Sequence, residues 1–266
     1  SYEPVKAENG ILFLTDGEGL LAMDQWSGEI LWEKPLRYPA NANVVDAAQG
    51  LVAVNDPPYL VVYQAENGTL LWDKDVCRER VQAYFYDTNI VVPCYGLTAV
   101  DVLSGKIVWE IKSDDRIWKS AFADGVLYFS QDLETLTAFD VKNRQERWNT
   151  PLKIDRSHAF RAVGEHLFVT QFNQLCAVYR EDGRVSWCVD GMKKVKPAVF
   201  WGEVVYSMNG LRSGMSALQI QDGSQLGRLD FAKYDLIAFE NDKQLMTVSN
   251  DYLIFAVGKR VYAYGK

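Results

Sequence analysis

The residues of this 266-residue chain with the widest chemical reach are four cysteines and two histidines. Cys77, Cys94, Cys176 and Cys188 include no adjacent pair and no Cys-x-x-Cys spacing, so neither zinc ligation nor a dithiol redox motif is indicated. They can pair as disulfides or stay as buried thiols. His158 and His166 stand in no hydrolytic motif and read as structural residues of strands. Gly17-Glu18-Gly19-Leu20-Leu21-Ala22 matches the dinucleotide fingerprint as text. That fingerprint works only where a helix N-terminus follows to meet the pyrophosphate, and here strand-type sequence follows. Asn67-Gly68-Thr69 is an N-glycosylation sequon that fits turn sequence equally well. These residues assign no catalytic, cofactor-binding or metal-binding role, and the chain reads as a non-enzyme with no cofactor.

Composition narrows the field further. Hydrophobic residues make up 48%, enough for a substantial core in a globular protein. A net charge of −7 argues against general nucleic-acid affinity, which needs a basic surface. No apolar run reaches the roughly 18 residues that a membrane helix requires. Ser1-Tyr2-Glu3-Pro4 is not a signal peptide, and a lipid anchor upstream is compatible with it.

One phrase recurs along the chain: Leu20–Trp32, Leu60–Trp72, Leu97–Trp109, Leu136–Trp148 and Leu175–Trp187, with a weaker copy at Met215–Gly227. The tryptophans are 40, 37, 39 and 39 residues apart. Each phrase predicts a β-hairpin with a three-residue turn such as Trp26-Ser27-Gly28 or Leu103-Ser104-Gly105, whose glycine takes a left-handed conformation. Counting outward from the turn sets Ala22 opposite Trp32, Ala99 opposite Trp109, Ala138 opposite Trp148 and Ala177 opposite Trp187. A small residue thus faces a large ring. Two further strands precede each hairpin; inner candidates are Val81–Tyr86, Trp118–Ala123, Ala159–Val163 and Val195–Phe200. Four strands repeated about every 39 residues is the signature of a propeller blade. The expected fold is all-β: a seven-bladed β-propeller of four-stranded antiparallel blades in one domain over 1–266, its last blade short.

The recurring Ala-x-Asp-x-x-x-Gly-x-x-x-Trp pattern resembles the repeat of the pyrroloquinoline-quinone (PQQ)-like propeller family. That family includes quinoprotein alcohol dehydrogenases and the outer-membrane assembly lipoprotein BamB. The resemblance covers nearly the whole chain. Those members usually have eight blades, and here Gly227 stands where the sixth tryptophan belongs. The dehydrogenases commonly use vicinal cysteines above the quinone, and this chain has none.

Within such blades Cys176 and Cys188 fall opposite each other on one hairpin. Cys77 follows a fourth strand, and Cys94 ends the second strand of the next blade, at the same end. Disulfides Cys77–Cys94 and Cys176–Cys188 are therefore geometrically sensible and imply a periplasmic or secreted location. The alternative is four reduced thiols in the cytosol.

The starts of the inner strands rim one face of a propeller. Arg80, Arg116, Arg156 and Lys194 occupy equivalent places there, with Tyr95 and Trp118 on the same rim. Arg212 lies in the long Ser207–Met215 connection. A basic rim with aromatics on an acidic protein suits an acidic protein partner. The bland reading is that these cations pair with nearby acids such as Asp114, Asp115 or Asp155. The leading expectation is a protein-binding scaffold of the cell envelope, as the likeness to BamB implies. A sensor domain of a larger protein and a PQQ-dependent dehydrogenase are the rivals.

Overall fold

A computed structural model describes residues 6–15, 18–39, 42–79, 82–154, 160–171, 174–190, 198–208, 214–230, 245–249, 252–257 and 260–265. Among them are 26 strands and no helix. The chain divides into two compact units, Ser1–Ile117 and Trp118–Lys266.

The first unit holds three antiparallel sheets. Sheet 1 is β1 (Lys6–Glu8), β2 (Ile11–Thr15), β3 (Gly19–Asp24) and β4 (Ile30–Pro35). Sheet 2 is β5 (Asn43–Ala48), β6 (Leu51–Asp56), β7 (Tyr59–Gln64) and β8 (Leu70–Asp75). Sheet 3 is β9 (Tyr84–Tyr86), β10 (Asn89–Asp101) and β11 (Ile107–Arg116). Although β10 is one continuous strand, Val102 N–H just beyond its end donates to the Thr88 carbonyl just before its start, at 2.9 Å. The strand must therefore fold back on itself, and Gly96, with φ +90°, marks the reversal. Sheet 3 is thus a four-stranded blade in substance.

The second unit holds four sheets. Sheet 4 is β12 (Lys119–Ala123), β13 (Val126–Ser130), β14 (Thr135–Asp140) and β15 (Gln145–Pro151). Sheet 5 is β16 (Arg161–Val163), β17 (His166–Gln171), β18 (Gln174–Tyr179) and β19 (Val185–Asp190). Sheet 6 is β20 (Val199–Trp201), β21 (Val204–Met208), β22 (Met215–Gln219) and β23 (Gln225–Leu229). Sheet 7 has three strands, β24 (Leu245–Ser249), β25 (Tyr252–Val257) and β26 (Arg260–Gly265). The inner strands of sheets 1, 2 and 7, expected of each blade but without a range assigned from the sequence, are β1, β5 and β24.

All four expected alanine–tryptophan pairs are in register. The turn between them differs from expectation. Asp24 N–H donates to the Glu29 carbonyl and Gly28 N–H to the Asp24 carbonyl, so the loop holds four residues. A bulge then follows: Met23 pairs with Ile30 and Ala22 with Trp32, leaving Leu31 unpaired. The extra loop residue and the bulge offset each other, and the same shift recurs in sheets 2 to 6. The aspartate of the repeat caps this loop. Asp24 Oδ1 accepts N–H bonds from Trp26 and Ser27 at 2.9 and 2.7 Å. Asp101 and Asp140 accept in the same way from Ser104 and Asn143. Backbone N–H donation from Ser27, hydroxyl donation from Ser104 and backbone donation from Asn143 hold these three carboxyls below the usual carboxylate range.

The tryptophans join one sheet to the next. Trp32 Nε1 donates to the Ala65 carbonyl at 2.9 Å and Trp72 Nε1 to the Val102 carbonyl at 2.8 Å. In the second unit Trp148 reaches the Arg180 carbonyl and Trp187 the Ile220 carbonyl, at 3.0 and 2.9 Å. Each indole lies against the turn glycine of the sheet it reaches: Gly68, Gly105, Gly183 and Gly223 respectively. Around these contacts lie the cores. Phe13, Leu20 and Ala22 of sheet 1 pack against Val52, Val54, Val61 and Tyr63 of sheet 2. Tyr128, Leu136 and Ala138 pack against Leu167, Val169 and Val178 in the second unit. Each fully buried leucine or valine contributes about 1.5–3 kcal/mol of transfer free energy.

Candidate functional site

The cysteines are joined as Cys77–Cys94 and Cys176–Cys188, with Cα atoms 6.1 and 4.1 Å apart. Cys176 and Cys188 are direct cross-strand neighbours of β18 and β19. Cys77 follows β8 and Cys94 lies within β10, so that bridge ties sheet 2 to sheet 3. Both bridges fit a non-cytoplasmic location.

Two of the candidate rim residues, Tyr95 and Arg116, lie on the strands next to the first bridge. Ile117 N–H donates to the Cys94 carbonyl at 2.7 Å, and Tyr95 stands directly across from Arg116. Tyr95 is 50% exposed. Arg116 forms an ion pair with Glu79 at 3.1 Å, so its charge is partly met within the unit. Glu79 belongs to the segment after β8, and no sequence spacing pointed to it. Arg78, two residues before Arg80, is exposed. Trp118 opens the second unit, half-buried, with its N–H donating to the Ser130 carbonyl at 3.0 Å. Arg80, Arg156, Lys194 and Arg212 lie outside the described residues, as does His158. The structure thus brings Tyr95 and Arg116 together at one end of sheet 3. The connection that carries Arg212 is closed at its base by the pairing of Met208 with Met215.

No group of three or more metal-ligating side chains occurs among the described residues. Gly19 of the apparent dinucleotide fingerprint opens β3, where a Cβ would strike the Lys34 carbonyl oxygen of β4. Its glycine serves close strand approach and not a phosphate. The sequon turn is closed by Thr69 N–H donating to Asn67 Oδ1 at 2.9 Å.

His166 is 6% exposed, packs its ring 4.8 Å from Tyr179, and leaves Nε2 without a hydrogen-bond partner. Burial holds its pKa below the ordinary 6.5, with Glu165 opposing the shift. The unfolded chain therefore takes up a proton, as pH falls through 6.5, that the folded chain refuses. Stability is full above that pH and declines below it until the folded histidine itself protonates. His166→Phe is expected to flatten this decline. Urea midpoints at pH 7.5 and 5.5 check it: equal losses in both proteins would show that His166 does not carry the effect.

The chain is similar to BamB from Moraxella catarrhalis, with a TM-score of 0.72 at 15% identity, covering 98% of this chain and 81% of that one. It is also similar to the computationally designed Ika8 protein, with a TM-score of 0.77 at 12% identity over 98% of this chain and 82% of that one. A third likeness is to KlHsv2 with loop 6CD replaced by a Gly-Ser linker, at TM-score 0.68 and 10% identity, covering 97% and 90%. No curated protein matches the chain in sequence. These likenesses identify the fold as a β-propeller, and the seven sheets, the last with three strands, as its blades. The profile of the outer membrane protein assembly factor BamB family matches residues 16–156 and 96–264, and the chain belongs to that family.

Proposed function

We propose that this protein is a non-catalytic protein-binding scaffold of the bacterial cell envelope, working in the periplasm in outer-membrane protein assembly. The observation that carries this reading is the family match along nearly the whole chain. The two disulfides support an oxidising compartment. In this reading the 266 residues act as one propeller domain that receives an acidic protein partner on one face. Arg80, Arg116, Arg156, Lys194 and Arg212 supply charge, and Tyr95 and Trp118 supply aromatic anchors.

The test reverses charge on the rim. An Arg80→Glu, Arg116→Glu, Lys194→Glu protein is expected to lose about tenfold or more in affinity for its envelope partner, mainly through slower association at low salt. Undiminished capture by the folded triple variant would remove the rim from the interface. Addition of PQQ and calcium is expected to give no dye-linked alcohol oxidation; turnover would favour the dehydrogenase reading instead.

A further inference from the structure

The two disulfides differ in what can reach them. Cys77 and Cys94 are both buried, at 5% and 8% exposure. In the second bridge Cys176 is fully buried, at 0%, whereas Cys188 is exposed. The cause is local topology. Sheet 5 runs in the order β16-β17-β18-β19, so Cys176 lies on an interior strand, between Val169 of β17 and Cys188 of β19. Cys188 lies on the edge strand, where Val185 and Asp190 are exposed as well. The bridge therefore joins an enclosed cysteine to an accessible one.

Sheet 5 does not depend on this bridge for its form. β19 pairs with β18 at Gln174–Asp190, Leu175–Val189, Ala177–Trp187 and Val178–Val185. Trp187, beside Cys188, is seated on Gly223 of sheet 6 and bonded to the Ile220 carbonyl. On the other flank Trp148 of sheet 4 lies against Gly183, and Thr150 Oγ1 donates to the Gly183 carbonyl at 2.7 Å. These contacts hold the hairpin from both neighbouring sheets without calling on the sulfurs. Cys77–Cys94 is the opposite case: both of its cysteines are enclosed, and it is a covalent tie between two sheets.

We propose that Cys188 is a thiol–disulfide exchange site for a dithiol partner, with Cys176 as its resolving thiol. A thiolate needs access to the sulfur that it attacks, and among the four cysteines only Cys188 is exposed. Attack forms a bond between the partner's sulfur and Cys188 Sγ, breaks the bond to Cys176, and leaves Cys176 as a thiolate that takes up a proton. The partner's second thiolate then attacks the partner's own sulfur in this mixed disulfide. The partner's disulfide closes, and Cys188 departs as a thiolate that is protonated in turn. Two electrons and two protons pass from the dithiol to the bridge. In the reverse direction Cys176, with its Cα 4.1 Å from that of Cys188, attacks the mixed disulfide at Cys188 Sγ and expels the partner's thiolate. The contacts around the hairpin keep the two cysteines opposite each other throughout, so the site opens and recloses in the folded protein. The inference involves no residue of the rim, so it can fail while the scaffold reading stands, and the reverse.

Limiting dithiothreitol is the first probe, applied to the intact protein without denaturant. Thiols are alkylated after increasing times and located by peptide mass. Cys176 and Cys188 are expected to become free about tenfold faster or more than Cys77 and Cys94, while tryptophan fluorescence stays that of the folded protein. Oxidised glutathione is the second probe, and it separates the roles of the two cysteines. In Cys176→Ala the Cys188 thiolate attacks the glutathione disulfide and expels one glutathione thiolate. With no resolving thiol present, one glutathionyl group is expected to stay on the protein by intact mass. In Cys188→Ala the buried Cys176 is expected to gain none. Opening of the two bridges at equal rates overturns the proposal, and so does opening that only accompanies unfolding. Equal glutathionylation of the two variants overturns it too. Should either variant fail to fold, the dithiothreitol rates of the parent decide alone. A parent protein isolated with neither bridge formed also overturns it, and leaves capture at the rim as a separate question.

Discussion

Replacing Gly105 with valine is expected to destabilise the protein by about 2–5 kcal/mol, against about 1–2 kcal/mol for the same change at Gly28. Both glycines close the same kind of turn, with φ of +64° and +72°. A β-branched side chain in that left-handed region costs about 1–2 kcal/mol at either site. Only at Gly105 does a second effect enter. A Cβ there would lie 2.7 Å from Cδ2 of Trp72, whose ring is held by its own N–H bond to the Val102 carbonyl. The ring cannot withdraw without losing that bond, and overpacking of this kind costs about 1–3 kcal/mol. Urea unfolding of the two variants, compared at unchanged m-value, isolates the packing contribution. Equal losses would mean that the indole gives way and that the joint is looser than its geometry suggests. The comparison also bears on why glycine recurs at this turn: backbone conformation alone tolerates Arg144, which takes φ +55° at the equivalent place in sheet 4.

What the sequence made legible follows from this distinction between local and inter-sheet causes. The Ala22–Trp32 type of pair could be counted from a turn whose glycine fixes the register, and the count succeeded although the loop is one residue longer than supposed. The bulge at Leu31 restores the phase, so local pattern alone cannot separate the two descriptions. The carbonyls that receive the indoles, and the stacking of each ring on the next sheet's glycine, could not be read, because they depend on how two sheets face each other. The bounds of inner strands such as Asn43–Ala48 could not be read because its sequence, NVVDAA, lacks clean alternation between polar and apolar residues. Arg116 could be aligned through the repeat, whereas its ion-pair partner Glu79 comes from the segment after β8, where no period applies.

Loss of the Cys77–Cys94 bridge is expected to destabilise the protein by about 3 kcal/mol, and loss of Cys176–Cys188 by less. Chain-entropy reasoning alone makes the two nearly equal, since the joined residues are 17 and 12 apart in sequence. Their settings separate them. Cys176 and Cys188 face each other across a hairpin whose turn is local, so the unfolded chain retains some of that proximity without the bond. Cys77 and Cys94 belong to different sheets, and their proximity exists only once sheets 2 and 3 have packed, with Trp72 seated on Gly105. The bridge therefore removes freedom that nothing else in the unfolded chain restricts. Cys77→Ala/Cys94→Ala and Cys176→Ala/Cys188→Ala proteins, unfolded in urea beside the parent with and without reductant, are expected to rank in that order. The mass of the parent is expected to rise on reduction by two hydrogens per bridge. An unchanged mass and an unmoved midpoint would mean free thiols and would withdraw the argument for an oxidising compartment. A loss of about 3 kcal/mol is a large share of the 5–15 kcal/mol that keeps a typical domain folded. A chain that draws that much of its stability from a bond between sheets is fitted to compartments where the bond persists.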